Sequence, residues 1–173
     1  MRDRFNAVMP ETTTSSAVLA NIVDTITALS VDGKPRFQSV GIFEDVATFD
    51  SVADASKGTA IGVVAKTPER ADPMDNSHDY CEKLEIEIVF KYSAVRKPGA
   101  AESAAVSEMQ QLADVIRNAL LVDQFRDGNA SAVMFGGRLI PGTDVTGSPR
   151  VLNNKANSGV YLASIPIVTA WTV

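Results

Sequence analysis

The residues of this chain that could do chemistry are few, and they crowd into "NSHDYCEKLEIEIVFKY", Asn76 to Tyr92. His78 and Cys81, the only residues of their types, stand three apart with Asp79 between them. A structural zinc site needs about four such ligands, and no second His/Cys pair completes one. The pair therefore reads as a loop-edge histidine and a partly buried cysteine. Any Ser-His-Asp or Cys-His device would have to use His78, and no G-x-S-x-G elbow supplies a serine. Gly136-Gly137 belongs to neither G-x-G-x-x-G nor G-x-x-x-x-G-K-[ST], so it reads as a bend rather than a phosphate loop. Glu85 and Glu87 share one face of an alternating strand. Glycosidase-type work needs two carboxylates flanking a cleft in different environments. On an open strand face such a pair is instead solvated, or paired with lysines across a neighbouring strand or subunit. No metal, cofactor or catalytic set is expected.

The elements that position these residues follow from periodicity. From Leu84 to Tyr92 every second residue is large and apolar, with Glu85, Glu87, Val89 and Lys91 between them. This pattern predicts a strand over 80–94 that buries one face and offers the other to water, a ligand or another copy of the chain. "SSAVLANIVDTITALS" carries Val18, Leu19, Ile22, Val23, Ile26 and Leu29 at helical spacing, predicting a helix over 15–30 with Ser15 or Ser16 as its cap. "AAVSEMQQLADVIRNALLVD" predicts a second helix over 103–122, its stripe made by Val106, Met109, Leu112, Ala113, Ile116 and Leu120. "RFQSVGIFE" and "TAIGVVAK" read as strands, with a short helix or turn between them at Val46, Phe49 and Val52. "TPERADPMDNS" and "RKPGAAES" read as a loop and a turn. "AVMFGGRLIP" reads as one bent strand, 141–158 as a polar loop, and "VYLASIPIVTAWTV" as a closing strand. Pro166 removes a ladder donor there, which predicts a sheet edge or a bulge. Residues 1–14 lack periodicity and read as an extended arm. With no βαβ alternation, the fold class is α+β: one domain, a mostly antiparallel sheet with two main helices on one face.

Composition agrees. Of 173 residues, 45% are apolar and 21% charged, an ordinary globular mix. The net charge of -5 and the scattered lysines and arginines argue against binding by phosphate neutralisation. No apolar run at the N-terminus has the length of a signal peptide's core, and no stretch is long enough to span a membrane. One cysteine allows no internal disulfide.

A short N-terminal helix ("SSAVLANIVDTITAL"), two strands, a long alternating strand ("CEKLEIEIVFKYSA"), an Ala-rich helix ending in "ADVIRNALLVD" and a strand at the C-terminus form an order that resembles the tail-terminator (tail-completion) proteins of tailed bacteriophages. The resemblance covers about residues 15–173. The arm 1–14 and the segment 141–158 depart from it or belong to its variable parts. It implies a structural, non-enzymatic virion protein that forms a homo-oligomeric, usually hexameric, ring in the tail-neck region and assembles in the host cytoplasm. Its partners would be the tail tube protein, the head-tail connector and, in contractile tails, the sheath, with DNA passing through the lumen without specific binding. On this reading Glu85, Glu87, Lys91, Arg138 and Arg150 are candidates for a subunit interface or the lumen. A head-side connector or stopper is the runner-up. A small enzyme or ligand-binding domain built around His78, Asp79 and nearby carboxylates is the reading from a different class.

Overall fold

The computed structural model describes residues 13–71, 80–94, 101–155 and 159–173, with side chains left aside at 101–102 and 153–155. His78, Asp79 and residues 1–12 lie outside the described residues. In chain order the elements are α1 (Thr14–Thr27), β1 (Ser30–Val31), β2 (Lys34–Pro35), β3 (Ser39–Phe43), α2 (Val46–Val52), β4 (Ala60–Ala65), β5 (Glu69–Ala71) and β6 (Cys81–Ser93). Then come α3 (Ala101–Val122), β7 (Ala132–Phe135), β8 (Arg138–Pro141), β9 (Thr143–Val145), β10 (Arg150–Lys155) and β11 (Val160–Thr172). The architecture is α+β.

The spine of the molecule is an antiparallel pair of long strands. Each residue of β11 from Val160 to Thr172 faces one of β6 from Ser93 back to Cys81. Around this pair the main sheet runs β10-β11-β6-β4-β3, with β5 added to β6 and β9 to β11. Because side chains alternate along a strand, Leu84, Ile86, Ile88, Phe90 and Tyr92 fall on one face. There they meet Val18, Ile22 and Ile26 of α1 and Met109, Leu112, Ala113, Ile116 and Leu120 of α3 in one core. The Tyr92 hydroxyl donates to the Ala105 carbonyl at 2.9 Å, pinning the first part of α3 to the sheet. Burial raises its pKa to about 12, so it stays a donor at neutral pH. At the far end Arg126, fully buried, donates to the Leu120 and Asp123 carbonyls that close α3 and to Asn21 Oδ1 of α1 at 3.3 Å.

The opposite face carries less cover. α2 lays Phe49 over β4, and a Cβ at Gly62 would stand 2.6 Å from the Phe49 ring, so only glycine permits this approach. The β7–β8 hairpin covers the other end of this face. Val133 and Ile140 pack there on Val168 and Ala170, with Cys81 half-buried beside them as a small hydrophobe.

Several expectations need correction. α1 is capped by Thr13, whose hydroxyl accepts from the Ser16 N–H, and not by Ser15 or Ser16, and it ends at Thr27 rather than 30. Val106 is 44% exposed, and Ala105 takes its place in the stripe. β3, α2 and β4 do form a βαβ unit, since β3 and β4 are parallel. α2 spans only seven residues and lacks the long helical period of an ordinary crossover, so it gave no such signal. "AVMFGGRLIP" is a hairpin, because Gly136 and Gly137 both take positive φ, as a two-residue I′-type turn requires. Asp32-Gly33 do the same between β1 and β2. The segment read as a loop over 141–158 contains β9 and β10, and 69–71 of the first loop is β5. β11 is a central strand. Pro166 lies where its outer neighbour changes from β10 to β9, so its missing N–H faces a break in the ladder and costs no bond.

Candidate functional site

Between α2 and the β7–β8 hairpin the second face of the sheet stays open as a groove of about 690 Å³. Its floor is apolar: Val64 of β4, Pro166 and Val168 of β11, and Phe135 and Ile140 of the hairpin. Glu85 and Glu87 enter this floor from β6 because they occupy the positions between its core residues. Their cross-strand neighbours include Val168, Val64 and Pro166, none of which can neutralise a carboxylate. The charges come instead from strand ends and from the β10 edge.

Lys66, one residue past β4, places Nζ 2.7 Å from Glu85 Oε2. Lys83 reaches Glu85 Oε1 at 3.3 Å and Glu69 Oε2 at 3.0 Å, and its Nζ lies 5.0 Å from the Phe135 ring centre. Arg150 Nη2 lies 2.6 Å from Glu87 Oε1, which also accepts from Ser164 Oγ at 2.8 Å. Arg138 Nη2 lies 3.0 Å from Asp144 Oδ2 of β9. The hydrogen bonds from Lys66 and Lys83 hold the Glu85 carboxyl below the usual range. Burial opposes ionisation of Glu87, but the bonds from Arg150 and Ser164 outweigh it and its pKa is lowered too. Burial likewise opposes the Lys83 charge and is outweighed by Glu69 and Glu85.

Lys83, 18% exposed, is the deepest of these charges, and among the others depth follows sign. The carboxylates of Glu87, Asp144 and Glu85 are 24%, 32% and 39% exposed, whereas Arg138 and Arg150 are each 65% exposed and Lys66 74%. The groove is therefore floored by apolar groups, Lys83 and the paired carboxylates of Glu85 and Glu87, with Arg138, Arg150 and Lys66 at its rim. Among the described residues each rim arginine spends one nitrogen on its ion pair, which leaves most of its five donors for an outside group. A general acid needs a carboxyl held protonated, and Glu85 and Glu87 are both pushed the other way. Neither carboxyl is set up as a general acid.

Four of the five candidate residues, Glu85, Glu87, Arg138 and Arg150, thus come together at one groove. Lys91 does not. It is half-covered by α2, where Nζ meets Asp50 Oδ1 at 2.9 Å and the Asp50 carbonyl at 2.7 Å, and it serves as the tether of that helix. Lys66, Lys83, Asp144 and Ser164 were missed by sequence reasoning. Only Lys83 carried a signal, its i, i+2 spacing from Glu85 on one strand face. His78 and Asp79 lie outside the described residues. Among the described residues no group of three or more His, Cys, Asp and Glu is placed to hold a metal ion, and no helix is long and apolar enough to cross a membrane. No protein-family model matches the chain, and no curated protein matches its sequence.

Proposed function

We propose that the chain is a ring-forming assembly protein of a tailed-phage virion, of the tail-terminator kind, which caps the tail tube and joins it to the neck. The observation that carries this reading is the element order. A short helix, β3 and β4, a 13-residue alternating strand, a 22-residue helix and a closing 13-residue strand follow in the order on which the resemblance rests, with the short elements β1, β2, α2, β5 and β7 to β10 set between them. The groove supports it further, since cations at a rim above an apolar floor suit contact with another protein surface. In such a ring each copy meets the next head-to-tail through two different patches, and rotation closes the assembly. Glu85 and Glu87 then stand close to a subunit contact or to the lumen.

Co-sedimentation with tail tubes and with the connector of the same virion tests the reading. The chain is expected to pellet with tubes through their ends. A chain that stays monomeric and binds neither partner refutes it, and binding to the connector alone moves the protein to the head side of the neck. A ligand-binding or enzymatic domain has one observation in its favour, the partly enclosed apolar floor of the groove. Replacement of His78 by Ala with no effect on assembly or activity removes the residue most distinctive of that alternative.

A further inference from the structure

The two arginines that line the groove are held at two fixed places, and the sheet sets the distance between them. Glu87 of β6 stands beside Pro166 of β11, and Asp144 of β9 stands beside Val168 on the other flank of the same strand. Cross-strand partners share a face, so Glu87, Pro166, Val168 and Asp144 all project to the groove side. The two carboxylates therefore lie two strand spacings and two residues apart, roughly 12 Å between backbones at about 4.8 Å per spacing and 3.4 Å per residue. Each holds one arginine by one nitrogen, Arg150 at Glu87 and Arg138 at Asp144. Between these anchors the floor is apolar, with Pro166 and Val168 in its middle and Ile140 beside them. The carboxylates of β6 in this floor are already neutralised, Glu85 by Lys66 and Lys83, and Glu87 by Arg150. Asp45 meets no cation among the described residues; it enters the groove from the α2 side, where it accepts the Thr48 N–H.

An extended peptide has matching dimensions. Its residues i and i+4 stand about 13 Å apart and point to one side, with residue i+2 between them on that side. We infer that the groove binds an extended segment of a partner protein in which an apolar residue is flanked, two positions away on either side, by Asp or Glu. The apolar side chain covers Pro166 and Val168, and the two carboxylates take the outward N–H groups of Arg138 and Arg150. A planar guanidinium with donors to spare suits a carboxylate in two-point contact, which a lysine in the same place does not offer. Recognition here works through unfilled donors at a set spacing and not through net charge, since each arginine keeps its own carboxylate. A compact anion reaches one arginine, whereas an extended segment reaches both and covers the floor between them. This pairing is independent of ring formation.

Fluorescence anisotropy on the full chain tests it with the labelled peptide Gly-Glu-Thr-Phe-Thr-Glu-Gly, whose threonines favour an extended backbone. Saturable binding is expected, and it should weaken at least about tenfold when both glutamates become Gln, when Phe becomes Ala, or when the acids stand three residues apart instead of four. Arg138→Gln with Arg150→Gln is expected to weaken it by about the same factor, while Lys34→Gln on the distant β1–β2 hairpin leaves it unchanged. Circular dichroism checks folding, and Arg138→Lys with Arg150→Lys, which keeps the charge and loses the fork, replaces the first pair if it unfolds. Selection from a random heptapeptide display library covers the choice of sequence: enriched peptides should carry an acid, an apolar residue and an acid at every second position. Equal binding of the Gln peptide, equal binding by the arginine variants, or enrichment of another pattern overturns the inference. So does a library that yields no binder together with a probe that does not saturate. All of these outcomes leave the ring reading to its own test on tube ends.

Discussion

Strand β6 presents two faces offset by one residue, and they follow different rules. On one, Leu84, Ile86, Ile88, Phe90 and Tyr92 are sealed beneath two helices and exchange no charge with anything. On the other, Glu85, Glu87 and Lys91 stand among apolar neighbours and are each neutralised by a residue from another element. The first face needs shape and volume. The second needs partners, and the two short covers over it, α2 and the β7–β8 hairpin, leave a groove between them. The same strand therefore anchors the core of the domain from one side and floors an open, charged groove from the other.

Substitutions can break this contrast or sharpen it. The largest loss is expected on the sealed face. Ile88→Ala, at a fully buried position, should cost about 2–5 kcal/mol in denaturant unfolding, and a loss under 1 kcal/mol breaks the contrast. Next is Gly62→Ala under α2, where the new methyl meets the Phe49 ring and should cost about 1–3 kcal/mol. If it proves neutral, α2 is looser than its contacts indicate. Glu87→Gln in the groove removes one charged partner of Arg150 and should cost about 1 kcal/mol, with the fold unchanged. Lys66→Ala, at the most exposed of these ion pairs, should leave the melting temperature unmoved.

Acid should act through the groove carboxylates and through Asp45 and Asp54, which the backbone N–H groups of Thr48 and Ser56 also hold below the usual range. Glu85 and Glu87 have pKa values lowered by folding, so their contribution is complete above the ordinary glutamate value of 4.5 and is lost as pH falls through their lower folded values. A pH titration of stability is expected to decline below about 4.5 in wild type and to decline less in a Glu85→Gln/Glu87→Gln variant.

The sealed face was legible because burial on one side imposes a period that residues alone display. β6, α3 and the α1 stripe all carried it, and they were placed to within a few residues. Short elements with no period of their own were not legible. β9 and β10 lie in a stretch of Thr, Asn, Gly and Ser and are strands only because β11 offers them a backbone edge. The hairpin at Gly136-Gly137 was missed because the pair was read as a bend, although two glycines between apolar residues suit a two-residue turn. The groove was half legible. Glu85 and Glu87 announced an open face by their alternation, but Lys66, Arg138 and Arg150 reach it from segments whose position depends on strand order. Lys91 shows the limit from the other side: it shares the face and the spacing, yet α2 folds over it.

The most direct test of the central claim is electron microscopy of the purified chain, alone and with tail tubes of the same virion. The account predicts closed rings with head-to-tail copies, seated on tube ends. Monomers in solution together with bare tube ends at every concentration would contradict it.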